Sequence, residues 1–118
     1  MPDYPFAVVI ANTKYLESNG DVARAFLRAL WKGMDASQKD APSALKWAAQ
    51  EDQSFDVNTF ERQWEVVGPQ MVDETTKSKG YGWHDFKNLQ ALADFLVEQG
   101  LMEKKLDAET FATDAYLQ

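Results

Sequence analysis

The sequence predicts an α/β protein that is mostly helical, with one buried strand followed by four to five helices. The strand prediction rests on an unbroken apolar run between Phe6 and Ala11, because a strand covered on both faces has no polar alternation. The helix prediction rests on later segments in which apolar residues recur every three or four positions. The length of 118 residues suits a single domain, predicted to span residues 1–118.

The predicted strand lacks a partner elsewhere in the sequence, and a lone strand leaves its backbone hydrogen-bonding groups unsatisfied. Its partners are therefore expected either in polypeptide outside this sequence or in another copy of the chain. The second alternative predicts a homodimer that is paired or swapped through the unpaired strand between Phe6 and Ala11.

The first three predicted helices have recognisable starts. Asn19 is the predicted N-cap of the first helix. Its expected core face consists of apolar residues at helical spacing: Val22, Phe26, Leu27, Leu30, Trp31 and Met34. Pro42 fits the first turn of the second helix. Asp56 is the predicted N-cap of the third, with Phe55 placed to pack on Phe60.

Proline, glycine and aspartate mark the remaining boundaries. Pro69 should kink or end the third helix, because it removes a backbone donor. Residues 73–83 are polar and contain glycine, which predicts a loop. Asp85 should then cap a fourth helix that ends at Gly100, and Asp107 should start a last short turn.

The composition restricts the partners and the chemistry. The net charge of −7 and the absence of a basic patch argue against binding to nucleic acid or to an anionic membrane. The absence of cysteine excludes disulfides, thiolate chemistry and cysteine-ligated zinc. The first residues have neither a charged region nor a long apolar run, so the sequence predicts no signal peptide in this chain.

His84 is the only histidine, and no nucleophile motif or metal-ligand spacing accompanies it. It is predicted to be a partly exposed residue before a helix, and a hydrogen bond to a ligand is the alternative. The acidic pairs at residues 51–52 and 73–74 fit a solvated surface better than acid/base catalysis. The sequence therefore predicts a protein that is not an enzyme, with no catalytic residue, metal site or cofactor.

The segment KGYGWHDF, residues 79–86, contains the candidate ligand-binding residues, Tyr81 and Trp83. Gly80 and Gly82 permit positive φ angles, and so a close approach of the backbone to another group. Tyr81 and Trp83 can stack on a planar ligand, or they can fill the gap between the third and fourth helices. Both alternatives stay open at this point.

Several segments occur in an order that resembles a known family. These segments are FERQW, KSKGYGWHD, FLVEQGL and the closing FATDAYL. Together they resemble the C-terminal part of the solute-binding proteins of ABC importers in the NMT1/THI5-like family, and the likeness extends over nearly the whole chain. One departure is Asn19-Gly20, where the family commonly has Asn-Pro.

The resemblance implies part of one lobe of a type II periplasmic-binding-protein fold, which would be a partial domain. It implies non-covalent binding of a small-molecule solute, such as a thiamine pyrimidine precursor, riboflavin or a sulfonate, through a cleft completed by a missing lobe. It also implies delivery to an ABC permease, and a periplasmic or extracellular lipoprotein location.

Two alternatives remain. One is a stand-alone helical interaction protein from a truncated gene, which would fold by oligomerising. The other is an enzyme similar to the pyrimidine synthases of the same broad family. That chemistry needs iron and sacrificial residues, and a chain with one histidine and no cysteine offers few groups for it.

Overall fold

The computed structural model describes residues 7–117. Their regular elements are α1 (Thr13–Lys39), α2 (Ala41–Glu51), α3 (Val57–Val67), a 3₁₀ turn (Gly68–Met71), α4 (Glu74–Lys79), α5 (Phe86–Glu98) and a second 3₁₀ turn (Ala108–Thr110). The chain divides into two compact units. The first unit comprises residues 7–24 and 82–117 of the described chain, and the second unit is Ala25–Tyr81. Each unit is described by itself.

The prediction of a buried strand between Phe6 and Ala11 is wrong for the part that the structure describes. Phe6 lies outside the described residues, and residues 7–11 adopt no regular secondary structure. The side chains of Val8, Val9 and Ile10 are 63%, 48% and 89% exposed. The described chain contains no strand, so the α/β prediction is corrected to a helical fold. An apolar run indicates a segment that favours burial, but it does not supply the neighbouring strand that a sheet needs.

The first helix begins earlier than predicted. Its cap is Asn12, whose side chain accepts hydrogen bonds from the backbone N–H groups of Lys14 and Tyr15 at 2.9 and 3.3 Å. Asn19, the predicted cap, lies inside α1 at a kink, with φ −133° and ψ 30°. Its side-chain amide donates to the carbonyl of Tyr15 at 3.0 Å. Asn19 therefore marks a bend in α1 and not its beginning.

The predicted core face of α1 is also only partly right. Leu27, Leu30, Trp31 and Met34 are half-buried, whereas Val22 and Phe26 are 54% and 56% exposed. The helix thus carries apolar residues on two faces, and only one of these faces is covered.

In the second unit α2 packs against α3, and the predicted signals at both helices are confirmed. Asp40 caps α2, Pro42 lies in its first turn, and Leu45 is buried. Asp56 caps α3. The rings that flank this cap, Phe55 and Phe60, stack with their centroids 3.9 Å apart. The helix ends at Val67, and Pro69 lies in the 3₁₀ turn that follows.

The prediction of a loop over residues 73–83 is wrong for its first half, which forms α4. Asp73 caps this helix by accepting a hydrogen bond from the backbone N–H of Thr76 at 2.6 Å. The backbone N–H of Gly80 donates to the carbonyl of Thr76 at 2.9 Å at the other end. A capped turn can therefore form in a polar segment that has no apolar periodicity.

The first unit is built around α5 and the second 3₁₀ turn. Asp85 caps α5 as predicted, and Gly100 follows its end with a φ of 71°. The side chain of Gln90 joins the two elements, because its Nε2 donates to the carbonyl of Leu106 and its Oε1 accepts from the backbone N–H of Ala108. These bonds hold the 3₁₀ turn on α5. Within residues 7–117, none of the helices combines the length and the apolar character required to cross a bilayer.

Candidate functional site

The segment after α4 is a turn that requires both of its glycines. Gly80 and Gly82 have φ angles of 102° and 86°, a region that residues with a Cβ atom rarely occupy. Asp85 then caps α5 by accepting a hydrogen bond from the backbone N–H of Asn88 at 3.0 Å. Within the first unit, Gly82 and the Asp85 cap therefore set the backbone conformation on either side of Trp83 and His84.

His84 is held by Asp114. The Nδ1 atom of the imidazole lies 2.5 Å from Oδ1 of Asp114, and the backbone N–H of His84 donates to the same oxygen at 3.2 Å. The two side chains are 32% and 18% exposed, so part of the pair is screened by water. An ionised carboxylate can only accept, and Nδ1 therefore carries the hydrogen, which leaves Nε2 as an acceptor in the neutral imidazole.

A histidine oriented by a carboxylate can serve as a general base when a nucleophile lies within reach of its other nitrogen. Among the described residues, the hydrogen bonds of the His84 ring go to Asp114, and none comes from a serine or threonine hydroxyl. The ring of Phe86 lies beside the imidazole, with the centroids 5.6 Å apart. The described geometry fits a structural tie, and the oriented Nε2 can accept a hydrogen bond from a ligand.

The segment that contains Asp114 is anchored at a second point in the first unit. The guanidinium carbon of Arg24 lies 5.4 Å from the centre of the Tyr116 ring, a cation–π contact. A Cβ atom placed on Gly20 would lie 3.3 Å from the same ring. Asp114 and Tyr116 therefore hold the last part of the described chain against His84 and against α1.

The sequence singled out His84 but not Asp114, which is thirty positions away. The prediction of a partly exposed histidine before a helix cap is confirmed. The FATDAYL segment was already one of those that carry the resemblance, but nothing in its pattern connects its aspartate to the imidazole.

Tyr81 is placed against Trp31 of α1 in the second unit. The two rings are nearly parallel at 19°, with their centroids 6.4 Å apart. Burial raises the pKa of the Tyr81 phenol above its ordinary value of 10.0, and the nearby Asp35 carboxylate raises it further. The phenol is therefore neutral at physiological pH. Tyr81 thus packs against α1, a contact that neither sequence alternative named, and its prediction as a ligand contact stays untested.

Trp83 is half-buried and belongs to the first unit, whereas Tyr81 belongs to the second. Each of these candidate ligand-binding residues is therefore placed within its own unit. Trp83 lies beside His84 in the sequence, and the tie between His84 and Asp114 fixes the backbone that presents it.

The second unit has a groove between α2 and α3. Its volume is about 190 Å³, and its lining comprises Ala41, Pro42, Leu45, Glu61, Trp64 and Glu65. Pockets that enclose small organic ligands usually have about 300–1,000 Å³. The groove is thus smaller than a typical nutrient site, although it can receive a single side chain.

Large apolar side chains are exposed throughout the described chain. Among residues 7–117, the buried apolar side chains are Leu45, Ala93 and Ala108, whereas twelve large apolar side chains are exposed. The exposed set includes Ile10, Trp47 and Leu101, at 89%, 64% and 72%. These side chains are distributed over both units, and single exposed apolar side chains are ordinary on protein surfaces.

No group of three or more histidine or carboxylate side chains among the described residues is arranged to hold a metal ion. No known protein family, curated protein or solved structure matches the chain.

Proposed function

We propose that the chain acts as a binding module in the solute-binding component of an ABC importer. It would contribute to the non-covalent capture of a small nutrient, such as a thiamine pyrimidine precursor, riboflavin or a sulfonate, for delivery to a permease. It would act in the periplasm or as part of an extracellular lipoprotein. The proposal rests on the resemblance to the NMT1/THI5-like family.

The main support for the proposal is a contact between two of the segments on which the resemblance rests. KSKGYGWHD contains His84 and FATDAYL contains Asp114, and these two side chains are hydrogen-bonded. The bond orders the backbone beside Trp83, the proposed solute contact in this unit. A planar heterocycle stacking on that indole is the chemistry the proposal assigns to the segment.

The α2–α3 groove, at about 190 Å³, is smaller than a typical nutrient site and is not assigned the solute. The proposal therefore assigns most of the solute contacts to a further protein surface, and a weak contact to this chain. The exposed apolar side chains of Val8, Val9 and Ile10 support the presence of such a surface.

Uptake measurements test the proposal directly. We expect deletion of the encoding gene in its host to abolish high-affinity uptake of one labelled pyrimidine, flavin or sulfonate. Restoration with the Trp83→Ala variant should recover less uptake than restoration with the unaltered gene. Trp47→Ala is the matched control, because Trp47 is a 64% exposed tryptophan on α2 and should be dispensable. Unchanged uptake of all three solute classes after deletion would contradict the proposal.

A second candidate function is that of an interaction protein that self-associates through residues 7–11. The exposure of Val8, Val9 and Ile10 favours it. If residues 7–11 form the contact, the Val8→Ser/Ile10→Ser variant will have a lower mass in light scattering than the unaltered chain at equal concentration. Identical masses would remove this candidate.

A further inference from the structure

The part of α1 in the second unit has an exposed apolar stripe on the side away from its core. Phe26 is 56% exposed, and Ala29, Gly33 and Ala36 are exposed as well. Their spacing of three, four and three residues places all four on one face of the helix. A Cβ atom added at Gly33 would meet no atom within 4 Å, so the centre of the stripe is open. The stripe has the width and composition of a helix face that packs against another element.

Two cations lie beside this stripe. Arg28 and Lys32 are exposed, and neither makes an ion pair with a described residue. Neighbouring Lys39, by contrast, pairs with Asp35 at 2.6 Å. Positions four apart lie on one side of a helix, about 6 Å from each other along its axis. The flank of the stripe therefore offers two unpaired positive charges at a fixed separation.

The α2–α3 groove has the opposite pattern. Leu45 and Trp64 form part of its apolar lining, and Glu61 and Glu65 lie on its α3 side. Both glutamates are exposed and make no ion pair with a described residue. They are also four positions apart on one helix, so their separation equals that of Arg28 and Lys32.

We propose that the α1 stripe of one copy docks into the α2–α3 groove of a second copy of this chain. Phe26 enters the apolar groove, and the two cations beside it pair with Glu61 and Glu65. The two cations beside the α1 stripe and the two glutamates beside the α2–α3 groove have the same helical spacing. This complementarity is the reason for choosing a second copy of the chain as the partner. The net charge of −7 makes a second copy a poor partner in general, so the contact depends on this local complementarity.

The contact involves a few helical turns and one groove, so we expect it to bury less than the roughly 1,200 Å² of stable interfaces. Association is therefore expected to be reversible and to depend on concentration. A reciprocal arrangement gives a closed dimer, and a one-way arrangement gives longer assemblies. Either form satisfies the proposal, because both use the same contact.

Charge reversal tests the contact. Sedimentation velocity from about 1 µM to about 1 mM should show self-association of the unaltered chain. We expect Arg28→Glu/Lys32→Glu and Glu61→Lys/Glu65→Lys each to weaken it by about tenfold or more. Glu61→Lys/Glu65→Lys is the more decisive variant, because it lowers the overall negative charge of the chain. If association depended only on net repulsion between copies, this variant would associate more strongly. The variant with all four changes should associate again.

The matched control is Lys14→Glu/Lys104→Glu, which makes the same change in charge at exposed positions outside the second unit. It should associate nearly as well as the unaltered chain. Circular dichroism of each variant checks that its helices persist. The Val8→Ser/Ile10→Ser variant should retain this association, which distinguishes the contact from one made by residues 7–11.

Carbodiimide cross-linking gives a second measurement that needs no variant. In a mixture of ¹⁴N- and ¹⁵N-labelled chains, Lys32 should join Glu61 or Glu65 in peptides that contain one label of each kind. The proposal is overturned if the unaltered chain is a monomer at about 1 mM, or if the variant with all four changes fails to associate. It is also overturned if Lys14→Glu/Lys104→Glu weakens association as much as Arg28→Glu/Lys32→Glu does. Cross-links found only within one chain would overturn it as well.

Discussion

Replacing Asp114 with alanine removes both hydrogen bonds that join the last segment of the described chain to His84. The carboxylate accepts from Nδ1 at 2.5 Å and from the backbone N–H at 3.2 Å. A hydrogen bond to a charged group contributes about 1.5–3 kcal/mol when it is well buried. Both side chains here are partly exposed, so each bond is assigned about 1 kcal/mol. We therefore expect Asp114→Ala to lower the free energy of unfolding by about 2 kcal/mol.

Urea denaturation at neutral pH, followed by tryptophan fluorescence, measures this loss. Asp114→Asn keeps a carbonyl acceptor and should lose about half as much. Asp21→Ala is the matched control in the same unit. Its carboxylate is fully exposed in a pair with Arg24 at 3.2 Å, so its removal should change the free energy of unfolding much less than Asp114→Ala does. Amide exchange should also accelerate at His84 in Asp114→Ala.

A double-mutant cycle isolates the side-chain bond. Combining Asp114→Ala with His84→Ala should give a coupling energy of about 1 kcal/mol, because the two residues share that contact. Equal losses in Asp114→Ala and Asp21→Ala, together with zero coupling, would refute the assignment of a stabilising tie.

Three further predictions concern the second unit. Gly33→Ala should raise the free energy of unfolding by about 1 kcal/mol in dilute solution, because alanine favours the helix more than glycine does. The added methyl meets no atom within 4 Å, so no clash offsets this gain, and thermal unfolding measures it. Gly68→Ala should lower it by about 2 kcal/mol, because a Cβ there would lie 2.8 Å from Nε1 of Trp64; urea denaturation measures the loss. The backbone N–H of Thr76, followed by its side chain, lowers the pKa of Asp73 below 3.8. The ionised cap thus stabilises α4 above the pKa of the unfolded chain, and this stabilisation is lost as the pH falls through the folded pKa. Acidification below about pH 4 should therefore destabilise the unaltered protein more than Asp73→Asn, as measured by circular dichroism.

Three helix caps could be predicted from the sequence, because their hydrogen bonds span two or three residues, whereas the cap of α1 is Asn12 and not the predicted Asn19. Asp56, Asp85 and Asp107 each accept a hydrogen bond from the backbone N–H of a residue two or three positions later in the sequence. Asp73 does the same, but its helix has no apolar periodicity that would distinguish it from a loop. The strand prediction failed for a related reason. The run at residues 7–11 is apolar, but the sequence does not reveal what would cover it.

The candidate site could be predicted only in part. His84 stood out as the only histidine, whereas its partner Asp114 lies too far along the chain for spacing to indicate contact. The stacking of Tyr81 on Trp31 spans fifty positions and has no sequence signal. Likewise, helical spacing assigned Phe26 to the core, but spacing defines a face without identifying what covers it.

The proposed solute contact at Trp83 is tested most directly by the tryptophan indole N–H resonances in ¹⁵N-labelled protein. Titration with thiamine pyrimidine, riboflavin and taurine to about 1 mM reaches the weak affinity expected of this chain. We expect one of these solutes to shift the Trp83 resonance, whereas the resonance of the more exposed Trp47 on α2 should stay unchanged. A shift at Trp47 alone, or no shift with any of the three, would contradict it.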